Sequence, residues 1–210
     1  MPDILLHLLP HVVSSLLYGA LGMHFWHTRW RETDRPLVTL PMQPWERAAI
    51  LAALVVQGIG LYQGLFSAGG MRFSFSFALS LMLWLAVLIY WLESFHARMD
   101  GLQPMVLPLA AISALAPALF PQLRVVANAG AWGFQLHFLT AMLAYSLFTL
   151  SALHAVFMGF AERKLHQRAV TKSLTSLPPI LTMEALLFRM ILVAFCLLTV
   201  ALLSGVMFAE

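Results

Sequence analysis

Residues 74–93 read SFSFALSLMLWLAVLIYWLE, a run in which Glu93 at its end is the only charged residue. A helix needs about 20 apolar residues to cross the hydrocarbon core of a bilayer. Hydrocarbon admits only helices and closed barrels, because nothing in it can satisfy an open backbone group. The run lacks the period-2 alternation of a barrel strand and is about twice as long as one. It is read as a transmembrane helix.

The same criterion, carried outward in both directions, predicts six spans: 4–26, 46–66, 74–93, 103–121, 135–160 and 186–208. The fold class that follows is an all-α, polytopic integral membrane protein, with residues 1–210 forming one integral-membrane domain. The first span opens MPDILLHLLP, without a basic head or a small-residue cleavage site. It is therefore expected to be a retained helix and not a signal peptide. Pro10 predicts a kink in its first third. Pro104, Pro108, Pro117 and Pro121 bracket the fourth span, which is expected to be short or irregular.

Composition agrees. Hydrophobic residues make up 61% of the chain, charged residues 10%, and mean hydropathy is +0.85. Soluble domains are about 45–50% apolar and about 25% charged, so a soluble enzyme and a disordered tail are both excluded. No polar stretch is long enough to fold as a separate domain. The net charge of +3 and pI near 9.4 do not point to nucleic acid, because the basic residues sit in short connections beside apolar spans.

There they report orientation. Arg29, Arg31, Arg35 and Arg47 follow or precede the first two spans on one side, joined there by Arg98 and by Arg163, Lys164, Arg168, Lys172 and Arg189. The alternate connections carry only Arg72 and Arg124. The ten-charge side is expected to be cytoplasmic, with both termini outward. The longest polar connection, 161–185, is expected to be a solvated cytoplasmic loop. Its Pro178–Pro179 suggest a break before a short interfacial helix led in by Thr182 and Glu184.

Eight histidines in so apolar a chain are the informative feature, since polar groups within spans tend to face a pocket or a partner. His24 and His27, beside Trp26 and Trp30, read as an interfacial belt, and His96 and His166 as loop residues. His137 lies just inside the outer end of the fifth span. Positions 137, 141, 144 and 148 form one helical stripe, on which Ala141 and Ala144 are small. The stripe allows either close helix packing or the approach of a flat ligand to the imidazole, which is a good ligand for iron. From spacing alone, a histidine bonding across helices is the plainer reading. His7 and His11 share a face at a similar outward depth. A cofactor held between the first and fifth helices could take one ligand from each.

Other chemistries find little support. Bundles that stack two haems place histidines about 13–14 residues apart on each of two helices. His11 and His24 are 13 apart, but His137 and His154 are 17 apart, ~25 Å at 1.5 Å per residue. The central thirds of the spans hold no Asp, Glu, Lys or Arg; Gln57, Gln63 and Gln135 are the notable polar side chains. A coupled transporter would be expected to place charge there. No phosphate loop, catalytic triad or HExxH sequence is present, and the single Cys196 permits no CxxC pair. A non-enzymatic role is expected, with no catalytic residue.

Two long stretches then carry a resemblance: LHFLTAMLAYSLFTLSALHAVFMGFAERKL (136–165) and LPPILTMEALLFRMILVAFCLLTVALLSGVMFAE (177–210). Together with RFSFSFALSLMLWL (72–85) and LPLAAISALAPALFP (107–121), they resemble the integral-membrane cytochrome c assembly family of CcsA-, CcmC- and HemX-like proteins. The likeness is greatest to its YpjD-type inner-membrane branch. The points of resemblance are His137, Tyr145, Glu162, Pro178–Pro179, Glu184, Leu198–Thr199 and Ser204–Gly205.

The resemblance implies a bacterial inner-membrane protein that handles haem on the outer face for delivery to apocytochrome c, alongside other cytochrome c assembly membrane proteins. It implies that His137 is an outward-facing axial ligand to haem iron. The family's tryptophan-rich segment and second outward histidine follow the helix that matches the sixth span, so the chain is expected to be C-terminally incomplete by two helices. The YpjD-type branch itself departs from the tryptophan-rich pattern. Gln57 stands where many relatives carry a second-span histidine. The second iron ligand is then expected from beyond Glu210 or from the His7/His11 pair. The alternatives are a cytochrome b-like electron-transfer subunit, with haem held by the first and fifth helices, and a structural subunit with no cofactor.

Overall fold

A computed structural model describes residues 2–30, 42–67, 70–96, 101–120, 124–125, 131–168 and 177–207. Six α-helices are formed among them: α1 (Pro2–Phe25), α2 (Pro44–Leu65), α3 (Phe75–Glu93), α4 (Gln103–Leu119), α5 (Trp132–Arg168) and α6 (Leu177–Met207). Five of these are long and apolar enough to cross a membrane. The exception is α4, at 17 residues with Pro108 and Pro117 inside it, as its proline content led us to expect.

The helices pack in an ordered series. Helix α1 lies against α2 and α4, α3 contacts α2, α4 and α5, and α6 rests on α5. The interior they share is built from Tyr18, Phe25, Ile50, Leu54, Val87, Leu107 and Leu150, all buried. Polar side chains tie neighbours together where an unmatched group would be costly. Gln57 donates from Nε2 to Ser80 Oγ at 3.0 Å, which joins α2 to α3. Trp84 Nε1 donates to the Leu54 carbonyl at 2.8 Å across the same pair. Ser146 Oγ contacts the Met82 carbonyl at 2.9 Å, linking α5 to α3.

A small antiparallel ribbon marks one end of the bundle. Strands β1 (Phe66–Ser67) and β2 (Gly70–Phe73) follow α2, and β3 (Arg124–Val125) follows α4. Arg72 pairs with Val125 and Phe73 with Arg124. The α2–α3 and α4–α5 connections therefore meet at the same end, as strict alternation of helix direction requires. The start of α3 is secured there too: Ser76 Oγ donates to the Phe120 carbonyl at 2.8 Å.

Charge collects at the opposite end. Glu46 is buried in the first turn of α2, behind Pro44. Proline is tolerated at that position because the first helical N–H groups have no intrahelical acceptor. The Glu46 carboxylate reaches back to accept from the Gln43 backbone N–H at 2.7 Å, one half of a capping box. It also accepts from Arg29 Nη2 at 3.0 Å and from His24 Nε2 at 3.1 Å. Arg29 sits in a π-helical turn, Trp26–Trp30, that prolongs α1. Arg47 Nη2 donates to the Ser94 carbonyl at 3.0 Å, and Arg189 pairs with Glu93 at 2.7 Å. Four helices are thus joined at this end.

Several boundaries differ from the sequence reading. Helix α5 runs on to Arg168, past the expected end at 160, and α6 begins at Leu177, ahead of the helix expected to be led in by Thr182 and Glu184. Pro178 and Pro179 fall in the first turn of α6, where their missing N–H groups interrupt no hydrogen bond. Residues 169–176, the middle of the expected polar loop, lie outside the described residues. Helix α1 continues through Pro10.

Glu46→Ala removes a buried carboxylate from an Arg29 side chain that is only 8% exposed. Breaking such a pair from one side should cost about 3–5 kcal/mol. Denaturant unfolding in detergent should register that loss, and a variant as stable as the parent would show that the cluster contributes nothing.

Candidate functional site

Helix α5 begins at the ribbon end of the bundle, and His137 lies in its second turn. Two contacts fix that part of the helix. Phe138 meets Phe73 of the ribbon edge-on at 5.1 Å and stacks on Phe134 at 6.3 Å. One residue earlier, the half-buried His137 turns to α6, with its Nδ1 3.0 Å from Ser204 Oγ.

The seat for the imidazole is made of small residues. Ala201 is buried, Ser204 follows three positions on, and Gly205 lies against the ring. A Cβ at Gly205 would stand 3.2 Å from His137 Cε1, closer than ordinary van der Waals contact. Bare backbone is what lets the ring approach. On its own helix, Ala144 is fully buried and Ala141 partly so, so the stripe at 137, 141 and 144 supports close packing at the α5–α6 contact. His137 is thus a cross-helix hydrogen-bonding residue, and that bond occupies one ring nitrogen only. Nε2 makes no hydrogen bond among the described residues.

The other histidines are differently placed. His11 is buried beside Gly60 of α2, where a Cβ would meet its Cε1 at 3.2 Å, and it meets Phe77 of α3 edge-on at 5.8 Å. Nothing among the described residues joins His11 to His137. The side chain of His7 lies outside the described residues, as does that of His166. His24 is engaged by Glu46. An open apolar groove of about 440 Å³, lined by Leu17, Ala20, Leu21, Trp45 and Ala49 beside His24, lies at that charged end and not near His137. His154 is buried in α5, with Nε2 donating to the Met183 carbonyl at 3.1 Å. His96 is exposed at the end of α3.

Among the described residues, no three His, Cys, Asp or Glu side chains come together as a bare metal ion would require. An imidazole with one nitrogen anchored and the other making no hydrogen bond among the described residues has the form of a histidine that can ligate a metal through its second nitrogen. Gln57 is a buried link between α2 and α3 through Ser80.

Two features escaped the sequence reading. Glu46 was signalled by proline and glutamate together at a helix start, the Pro-x-Glu of residues 44–46. The seat on α6 was signalled by small residues at 201, 204 and 205, a spacing that puts them on one helix face.

The model of the cytochrome C assembly protein family matches residues 45–210. The match begins at the head of α2, so it contains His137, Ser204 and Gly205 and leaves His7, His11 and His24 outside. No match was found among curated proteins or among solved structures.

A double-mutant cycle on His137→Ala and Ser204→Ala should return a coupling of about 0.6 kcal/mol, and no more than ~2, the range for hydrogen bonds between membrane helices. Unfolding in mixed micelles would measure it. Additive single effects would show that the two side chains do not interact.

Proposed function

The chain belongs to the cytochrome c assembly protein family, a multi-pass membrane protein with a role in cytochrome c biogenesis, and from that premise we propose that it holds haem for presentation at the outer face of a bacterial inner membrane. The reading places it with the YpjD-type branch. Its cargo is haem, and its proposed partners are apocytochrome c and other membrane proteins of the assembly pathway.

The observation that carries the proposal is the state of His137. One ring nitrogen is committed to α6, and the other is left to a ligand on the half-buried first turns of α5. A neutral imidazole nitrogen is an ordinary axial ligand for haem iron, and here its helix packing holds the ring without occupying both nitrogens. Phe134, one turn before His137, stacks with Phe138 and offers an aromatic surface beside the imidazole for a flat macrocycle.

Orientation supports the same reading. Of the Lys and Arg residues, ten belong to the connections at the Glu46 end and two, Arg72 and Arg124, to the ribbon connections. By the positive-inside bias, the ribbon end faces outward, both termini face outward, and His137 stands near the outer surface. A haem held there is on the side where apocytochrome c is matured. The role of this chain is to bind, orient and release.

Titration of purified full-length protein with ferric haem should produce a shifted Soret band that saturates. His137→Ala should weaken binding at least ~100-fold, since loss of a ligand exceeds the ~10–100-fold effect of losing its outer-shell support. Binding equal to that of the parent would remove the proposal. His11→Ala should leave the spectrum unchanged, because α1 packs on α2 and α4 and not on the α5–α6 contact.

A further inference from the structure

The hydroxyl of Ser204 makes two contacts and has one proton. Its Oγ lies 2.9 Å from the Ala201 carbonyl, one turn back on α6, and 3.0 Å from His137 Nδ1 on α5. A carbonyl can only accept. Both contacts are hydrogen bonds at once only if Ser204 donates to Ala201 and His137 donates from Nδ1–H to Ser204. A neutral imidazole is then the tautomer that carries its proton on Nδ1 and its lone pair on Nε2.

That tautomer is the one a metal-ligating histidine needs when it binds through Nε2. Ligating histidines almost always donate their second ring N–H to a fixed acceptor, which sets the ring's orientation and makes the ligating nitrogen more basic. The usual acceptor is a carboxylate, a carbonyl or a water. Here it is a serine hydroxyl whose own proton is locked by the helix that carries it. A hydroxyl free to rotate could donate to Nδ1 and put the imidazole proton on Nε2, the wrong nitrogen for ligation. The Ala201 carbonyl removes that option.

Gly205 completes the arrangement. Its missing side chain lets the ring lie within reach of Ser204, since a Cβ there would come to 3.2 Å of Cε1 and 3.7 Å of Nδ1. Tautomer and seating are therefore both set by α6, sixty-seven positions from the histidine they act on.

We propose that Ser204 is the positioning residue of the haem site: by accepting from Nδ1 it holds His137 in the Nδ1–H tautomer and keeps the Nε2 lone pair available to iron. This rests on the reading that His137 ligates haem. Ser204 touches no part of the haem in this account and acts through the imidazole alone.

The test uses the full-length protein in detergent and two readouts. The first needs no haem: nitrogen-15 NMR of histidine-labelled apoprotein, with His137 assigned by its loss in His137→Ala. The parent should show His137 protonated on Nδ1, and Ser204→Ala should show a mixture of tautomers. The second is titration with ferric haem, in which Ser204→Ala should bind ~10–100-fold more weakly than the parent. An Nε2–H tautomer at His137 in the parent apoprotein overturns the proposal even if Ser204→Ala does not fold. So does Ser204→Ala that binds haem as tightly as the parent while His137→Ala does not. If His137→Ala also binds as tightly as the parent, the site itself is wrong, and the NMR result then stands as a statement about the tautomer alone.

Discussion

Hydrocarbon gives a peptide group no partner, and every other feature of this protein follows from that constraint. Each crossing has to close its own backbone hydrogen bonds, so each becomes a helix. Consecutive helices joined by short connections must then reverse direction. The pairing of β2 with β3 is the visible result, because it can form only if the α2–α3 and α4–α5 connections emerge at the same end. Once the ends alternate, the level of each side chain is set by counting along its helix. His137 belongs to the ribbon end for that reason, and Glu46 with its arginine belongs to the other.

Within the bundle the apolar effect cannot hold helices together, since lipid tails are as apolar as the side chains they would replace. Specific polar contacts and close approach do that work. Gln57 with Ser80 and Trp84 with the Leu54 carbonyl join α2 to α3, while Ser146 joins α5 to α3. Glu46 gathers Arg29 and His24 at the charged end, and it thereby fastens α1, which the family match does not include, to the first helix that the match does include. His137 with Ser204 belongs to the same class of contact but differs in one respect. An imidazole has two nitrogens, so a single interhelical bond leaves chemistry over. In the proposed role, the bond between α5 and α6 is also what prepares the remaining nitrogen.

The spans were legible in the sequence because uninterrupted apolarity over a bilayer's thickness has few other meanings. The short fourth helix was legible from Pro108 and Pro117. The ribbon was not, because its strands are two to four residues long, too short for alternation to show, and β2 meets β3 only across some fifty positions. The extension of α5 to Arg168 was missed because a helix leaving the apolar layer becomes polar without ceasing to be a helix. Pro178–Pro179 suggested a break and instead occupy a helix start, a distinction that depends on which neighbour is already helical. At the site, the level and face of His137 on its helix could be read from spacing. Its acceptor could not, since Ser204 is ordinary in its own helix and acquires its role only when α6 docks.

The proposed role of His137 depends on which side of the membrane receives the first turn of α5. In a Cys196→Ser background, cysteines placed singly at Ala131 and at Arg163 can be tested in intact cells with a membrane-impermeant maleimide. Position 131 should label directly from outside, and position 163 should label only after the inner membrane is opened. The reverse pattern would put His137 on the cytoplasmic side and contradict a role in presenting haem at the outer face.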